Sequence, residues 1–158
     1  MSESSGSEKK RKLSRTEMRR NARNYTLQAL YQWQMSPMPV NEIEAQFRVN
    51  NDMSDTDVAL FGELFRGVTA RAKTLDQAYS LFLDRTVDDL DPVELAVLRI
   101  GAYELIERLE VPYRVAINES VELAKTFGAT ESHRYVNGVL DKLAQKVRAA
   151  EVMARRER

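Results

Sequence analysis

The chain has 158 residues, of which 43% are hydrophobic, and this is enough to bury one compact core. It has no cysteine, which excludes disulfides, thiolate metal sites and cysteine nucleophiles. Lysine plus arginine total 24 and aspartate plus glutamate total 24, so the net charge gives no reason to expect a nucleic-acid partner. No apolar run approaches the roughly 18 residues of a membrane span, and the polar start lacks the apolar core of a secretory signal. We therefore expect a cytoplasmic protein with no membrane partner.

The basic residues are nevertheless concentrated near the N-terminus. They are Lys9, Lys10, Arg11, Lys12, Arg15, Arg19, Arg20 and Arg23, with Glu17 as the one acid among them. Residues 1–12 have no apolar periodicity and are predicted to be a disordered basic arm. A neutral molecule with such a segment can bind an anion locally. On charge alone the anion can be DNA, RNA or an acidic membrane, and the alternative is a solvated, solubilising surface.

The first predicted element is a long helix over Arg15–Met35. Ser14 and Glu17 form a capping-box pattern at its start. One face of the helix carries apolar residues, and a neighbouring stripe carries its first residue, Arg19 and Arg23 at four-residue spacing. Core and cations are therefore expected side by side on this helix.

Two further helices are predicted before residue 84. Asn41 to Glu44 forms a capping box for a short second helix that ends near residues 50–52. Ser54 to Asp57 starts a third, whose apolar residues recur at alternating spacings of three and four over 58–82. Because amphipathic helices flank this seam in the same chain, packing within the chain is favoured over an intermolecular coiled coil.

Asp91, Pro92 and Glu94 then form a helix-start pattern with an N-cap, a first-turn proline and an acid at the third position. The fourth helix that follows is apolar on two sides. It is therefore predicted to be the central helix, covered on both sides or bound by a partner. Pro112 opens a fifth helix that stops at Gly128, which is expected to be a left-handed C-cap.

The last predicted helix is capped by Thr130 and buries an apolar stripe over 136–147. The charged tail at 149–158 either extends this helix or frays. No segment alternates like a strand. The sequence therefore predicts an all-α fold with about six helices in two packed groups.

The residue patterns of known enzymes and metal sites are absent from the sequence. We therefore expect no catalytic residue and no cofactor. Asp84, Asp88, Asp89 and Asp91 match no EF-hand spacing, so no metal site is expected. His133 is the only histidine and lacks a base, nucleophile or ligand partner, which favours a structural role or an RNA contact.

Tyr135 is the best candidate in the sequence for stacking on a nucleic-acid base. It follows His133 and Arg134, and unpaired RNA bases commonly stack on aromatic rings beside a charged surface. The alternative is that Tyr135 packs at the edge of the apolar stripe of the last helix, and spacing alone favours this about equally.

Several blocks stand out by their order and spacing. They are 20–23 (RNAR), 27–33 (LQALYQW), 93–105, 111–119 (VPYRVAINE), 122–128 (ELAKTFG) and 135–141 (YVNGVLD). Together they resemble the NusB family of bacterial transcription antitermination factors over about residues 19–143. The resemblance implies a NusB-like fold of about six to seven helices in two packed three-helix bundles. They would form one helical domain over 13–148, with bundles at about 13–83 and 84–148.

The resemblance also implies a function. NusB factors join NusE, a small-subunit ribosomal protein, on the single-stranded boxA element of ribosomal RNA operon transcripts, within a complex that helps RNA polymerase to resist termination. The candidate RNA contacts are Arg15, Arg19, Arg20, Arg23, Glu131, Arg134 and Tyr135. The resemblance also implies that Tyr31 and Glu94 contact NusE. The predicted helices permit both side chains to be exposed.

The sequence departs from the family pattern at three positions. Asn21 stands where many relatives have another arginine, Glu131 where aspartate is common, and Tyr135 where phenylalanine is frequent. These departures bear on affinity rather than on function. The basic arm at 9–12 can supply replacement charge.

Two alternative functions remain open. In the first, the chain is a helical protein-interaction module, for example a homodimer, with an incidental basic segment. Its RNA binding would then show no sequence preference and would not depend on Tyr135. In the second, it serves an RNA-modifying enzyme, because NusB-like domains also occur attached to RNA methyltransferases. The chain leaves no room for a catalytic domain, so that function would need a separate subunit.

Overall fold

The computed structural model describes residues 12–157, which are helical apart from short connections. The helices are α1 (Arg15–Met35), α2 (Val40–Asn50), α3 (Val58–Ser80), α4 (Pro92–Glu107), α5 (Tyr113–Phe127), α6 (Ser132–Val147) and α7 (Ala149–Arg156). A short 3-10 helix, Val87–Asp89, lies between α3 and α4. The predicted all-α class is confirmed. Of the predicted arm at 1–12, all but Lys12 lies outside the described residues.

The described residues contain eight helices when the 3-10 helix is counted, which exceeds the six to seven predicted. One addition is the 3-10 helix itself, closed by a hydrogen bond from Leu90 N–H to Val87 O at 3.1 Å. The other is α7, because the charged tail neither extends α6 nor frays. Arg148 has a φ of −123°, which separates α7 from α6, and the buried side chain of Val152 holds α7 on the core.

α1 and α4 begin where the sequence predicted. Ser14 Oγ accepts a hydrogen bond from Glu17 N–H at 3.1 Å, and Ser14 N–H donates to Glu17 Oε1 at 3.2 Å. Asp91 Oδ1 accepts from Glu94 N–H at 2.9 Å. Both caps satisfy first-turn amides that have no partner within the helix, so each fixes the direction in which its helix starts.

Two other predicted caps are wrong. α2 begins at Val40 without the capping box predicted at Asn41, because Pro39 has a φ of −54° that already suits a helix start. α6 follows Glu131 rather than Thr130. Thr130 lies too early to cap α6, inside a turn that a hydrogen bond from Ser132 N–H to an earlier carbonyl closes at 3.0 Å.

Gly128 serves close packing rather than a left-handed turn. Its φ is −95°, so the predicted left-handed C-cap is wrong. A Cβ at this position would lie 2.8 Å from Ala124 O and 3.1 Å from Ser132 Cβ. Only glycine therefore lets the end of α5 come this close to the start of α6.

α4 is the central helix, as predicted, and α1, α3, α5 and α6 all pack on it. Small residues permit this packing: a Cβ on Gly67 would lie 2.4 Å from the Tyr103 ring, and one on Gly101 would lie 2.5 Å from Leu140 Cδ1. α1, α2 and α3 pack together as one group, and α5 packs with α6 as another. One continuous apolar core joins both groups. The exact bundle limits, 13–83 and 84–148, stay a prediction.

An arginine from far along the chain caps the C-terminal end of α4. Arg148 is only 5% exposed, and its Nε donates to Leu105 O at 2.7 Å. Its Nη2 donates to Glu104 O at 3.2 Å and to Arg108 O at 3.0 Å. The last carbonyls of a helix carry partial negative charge, and here Glu104 O and Arg108 O accept this guanidinium in addition to backbone N–H groups, so Arg148 stabilises the end of α4.

Two glycines in helix interiors should respond to alanine in opposite directions. A Cβ at Gly138 would meet no atom within 4 Å, so Gly138→Ala should stabilise the protein by about 0.5–1 kcal/mol through helix propensity. Gly67→Ala should destabilise it by about 1–3 kcal/mol, because the new methyl group would overlap the Tyr103 ring. Urea unfolding of both variants measures the two shifts. Shifts of the same sign would contradict the packing of α3 on α4.

Candidate nucleic-acid interface

The first turns of α1 present cations on an ordered surface. Arg15 is exposed and Arg19 is partly exposed. Neither forms an ion pair with another described residue. The capping box between Ser14 and Glu17 fixes the backbone beneath them. These guanidiniums are therefore free to meet an external anion at fixed positions.

Arg20 forms an ion pair with Glu119, which lies 99 positions later in the chain. Its Nε donates to Glu119 Oε1 at 3.1 Å and to Glu119 Oε2 at 3.2 Å. The side chain of Arg20 remains 55% exposed, whereas that of Glu119 is 8% exposed. The bonds fix one edge of the guanidinium and leave its other nitrogens available to a ligand.

Arg23 is buried, unlike Arg15 on the same predicted stripe of cations. Its Nε and Nη2 donate to the two carboxylate oxygens of Glu104, both at 2.8 Å. Its Nη1 lies 3.5 Å from Glu119 Oε1. The residue is 4% exposed, because α1 turns this position toward α4 and α5. A direct contact of Arg23 with RNA stays a prediction.

Arg23 stays positively charged although it is buried. Burial acts to lower the pKa of Arg23, but the hydrogen bonds to Glu104 and its negative charge outweigh burial and raise that pKa. Arg108 Nη1 also donates to Glu104 Oε1, at 3.1 Å. Glu104, which is fully buried, is therefore the centre of an ion network that joins α1 to α4.

Sequence reasoning missed both acids of this network. Glu104 lies between Tyr103 and Leu105, in an apolar part of α4. An acid flanked by apolar residues on a central helix signals a buried cation, because a buried carboxylate must be paired. The signal does not say which arginine is the partner. For Glu119, the residue spacing gives no comparable signal.

The start of α6 carries a second group of candidate residues. Glu131 and Arg134 are exposed, and Arg134 Nε lies 3.3 Å from Glu131 Oε2. His133 is partly exposed. Arg134 is 77% exposed at its side chain, so its pairing with Glu131 is weak and open to exchange for a ligand.

Tyr135 is partly buried against the core and is also fastened to the connection before α4. Its hydroxyl donates to Asp84 Oδ1 at 2.9 Å and accepts from Asp84 N–H at 3.3 Å. Burial, with the nearby carboxylate, raises the pKa of Tyr135, and hydrogen bonds from Arg85 and Tyr135 lower the pKa of Asp84. The guanidinium carbon of Arg85 lies 4.5 Å from the centre of the Tyr135 ring. The predicted packing of Tyr135 at the edge of the apolar stripe is confirmed, and its stacking on a nucleic-acid base stays a prediction.

Of the two positions proposed to face a protein partner, one is exposed and one is not. Tyr31 is 41% exposed. Glu94 is 8% exposed, so its expected exposure is wrong. Its Oε2 accepts a hydrogen bond from Ser132 Oγ at 2.6 Å, which ties the first turn of α4 to the first turn of α6. This inward bond explains why Glu94 is turned away from the surface.

The structure thus separates the candidate residues into two clusters. One contains Arg20 and Arg23 around Glu119, and the other contains Arg134 and Tyr135 at the start of α6. No hydrogen bond or ion pair among residues 12–157 joins the clusters directly. The same residues contain no helix long and apolar enough to cross a membrane and no group of acids or histidine arranged to hold a metal ion.

Solved structures identify the fold as that of NusB proteins. T. maritima NusB matches with a TM-score of 0.69 and 28% identity, over 80% of this chain and 90% of that one. A chain in the crystal structure of antitermination factors NusB and NusE in complex with dsRNA matches with a TM-score of 0.71. It is 23% identical over 80% of this chain and 96% of that one, and this identity shows the fold alone.

Sequence comparison goes further than the fold. The NusB family model matches residues 20–145. Transcription antitermination protein NusB of Marinomonas sp. (strain MWYL1) is 60% identical over 94% of this chain and 87% of its own length. The corresponding protein of Pseudomonas fluorescens (strain Pf-5) is 56% identical over 90% and 86%. The chain belongs to the NusB family, and the predicted resemblance is confirmed.

Removal of one partner from the buried ion network should strongly destabilise the protein. Glu104→Gln removes the bidentate partner of the buried Arg23 and leaves only the longer contact with Glu119, at 3.5 Å, so it should lower the free energy of unfolding by about 3 kcal/mol. The matched control is Glu122→Gln, whose exposed pairing with Lys125 at 3.6 Å should contribute no more than about 0.5 kcal/mol. Urea unfolding measures both. Similar small losses in the two variants would show that Arg23 and Glu104 do not stabilise each other as described.

Proposed function

We propose that this chain is an antitermination factor that binds boxA-type single-stranded RNA of ribosomal RNA operon transcripts together with NusE. In this function it acts in the cytoplasm, joins the antitermination complex of RNA polymerase and promotes processive transcription. Family membership supports the proposal, and so does the existence of a structural relative solved with NusE and RNA. The observation that carries it is the set of exposed arginines on the capped first turns of α1.

The arginines of α1 would bind the phosphates of the RNA. Arg15, Arg19 and Arg20 are accessible, and guanidiniums at fixed spacing suit phosphate oxygens. Such contacts release counter-ions, so the binding should depend on salt. Arg23 would act indirectly, from inside the molecule. It contacts Glu119, which also binds Arg20, and so helps to fix the position of the Arg20 guanidinium.

The start of α6 would select unpaired bases. Arg134 and Glu131 offer donors and acceptors, and Tyr135 lies beside them on the first turns of the same helix. Charge alone does not distinguish one RNA from another, whereas hydrogen bonds and stacking on splayed bases do. The arginines of α1 would thus attract RNA of any sequence, and the start of α6 would select among sequences.

NusE would complete the site. Tyr31 provides an exposed aromatic contact, and Glu94 would contribute indirectly by holding the start of α6 through Ser132. If NusE raises the affinity for RNA, RNA must raise the affinity for NusE by the same factor. A weak binder would therefore become a tight one only when both partners are present.

Binding of labelled boxA-type RNA and of a scrambled RNA, with and without NusE, tests this function. We expect preference for the boxA sequence, strengthened by NusE, and weaker binding by Arg20→Ala and Tyr135→Ala. Arg20→Ala should also reduce the slope of log affinity against log salt by about 0.7, the loss of one phosphate contact to a single strand. The control is Lys73→Ala, an exposed cation on α3. Equal, weak binding to both RNAs whether or not NusE is present would favour a helical interaction module instead.

A further inference from the structure

Arg85 covers the ring that the sequence singles out for base stacking. Its guanidinium carbon lies 4.5 Å from the centre of the Tyr135 ring, close enough for a cation–π contact. The Tyr135 side chain packs against the core and is partly buried, whereas the side chain of Arg85 is 40% exposed. The surface offered to solvent at this point therefore includes a guanidinium that lies over an aromatic ring.

The position of Arg85 is fixed by Asp84. Arg85 Nε donates to Asp84 Oδ1 at 2.7 Å, and Nη2 lies 3.4 Å from Asp84 Oδ2. The same carboxylate accepts the Tyr135 hydroxyl, 51 positions along the chain, at 2.9 Å. Three side chains thus brace one another across the gap between the connection before α4 and the first turns of α6.

The pairing with Asp84 determines which part of the Arg85 guanidinium is available to a ligand. In the part of the chain that the structure describes, Asp84 has Arg85 as its one arginine partner, whereas Glu119 is shared between Arg20 and Arg23, so less of the charge of Arg85 is left to attract a phosphate. The planar face of Arg85 is not used by the pairing with Asp84. An arginine plane held against an aromatic ring is a surface on which an unpaired base stacks.

We propose that Arg85 is the base-stacking residue of this interface, with Tyr135 as its backing and Asp84 as its positioning residue. The inference rests on the proposed RNA-binding function and deepens it. An RNA base stacks on the outer face of the Arg85 guanidinium rather than directly on the Tyr135 ring. The tyrosine hydroxyl, absent from a phenylalanine, helps to hold Asp84 and therefore Arg85 in place.

RNA affinity of three full-length variants, measured with NusE over a range of salt concentrations, tests this role. Arg85→Ala should weaken binding by about 5- to 150-fold, the range expected for loss of one stacked base. Its salt slope should stay unchanged, because Asp84 already compensates the charge. Arg85→Lys should weaken binding nearly as much, since lysine keeps the charge but has no plane. The matched control is Arg71→Ala, which removes an exposed arginine of α3 that is paired with Glu107 of α4 and should bind RNA like the wild type.

RNAs that lack one base at a time locate the contact. Removal of the stacked base should weaken binding to the wild type but add little to the defect of Arg85→Ala, because both changes delete the same interaction. Circular dichroism confirms that each variant is folded.

Three results would overturn the proposal while leaving the RNA-binding function in place. The first is that Arg85→Ala binds RNA with wild-type affinity, and the second is that Arg85→Lys does so. The third is that Arg85→Ala lowers the slope of log affinity against log salt, which would identify a phosphate contact. Failure of the wild type to bind RNA with or without NusE would overturn the proposed function, and this role with it.

Discussion

The ion network around Glu104 is the interaction on which the arrangement of the helices depends. A carboxylate with no exposed surface and an arginine that is 4% exposed can stay charged only if each satisfies the other. Both oxygens of Glu104 bond to Arg23, which fixes the rotation and height of α1 against α4. Apolar packing alone would tolerate some sliding between two such helices. The paired charges favour one register because every other register leaves a charge without its partner.

The same network connects the stability of the fold to the candidate interface. Glu119 of α5 lies beside Arg23 and also accepts two hydrogen bonds from Arg20. The position of an exposed guanidinium is therefore determined by residues inside the molecule. A rigid support of this kind reduces the conformational entropy that binding must remove. The cluster at α6 follows the same pattern, since buried Glu94 holds Ser132 while Arg134 remains accessible.

Features with a local cause were predicted in part, and those whose cause lies elsewhere in the chain were missed. The capping box at Ser14 and the N-cap at Asp91 depend on neighbours within three residues and were predicted correctly, whereas the local caps predicted at Asn41 and Thr130 were wrong. The role of Gly128 was wrong because the close approach of Ser132, rather than backbone handedness, requires glycine there. The burial of Arg23 and Glu94 depends on partners 81 and 38 positions away, which helical periodicity does not reveal. Resemblance supplied the two-cluster interface, but neither it nor periodicity pointed to Arg85.

The capping of α4 by Arg148 has a consequence for how the protein is made. Chains emerge from the ribosome with the N-terminus first, and early segments can begin to fold during synthesis. α1, α3 and α4 are translated before Arg148, so Leu105 O obtains this partner only after α5 and α6 have also been translated. A ribosome that stalls within α6 would hold a nascent protein whose central helix still has an open end.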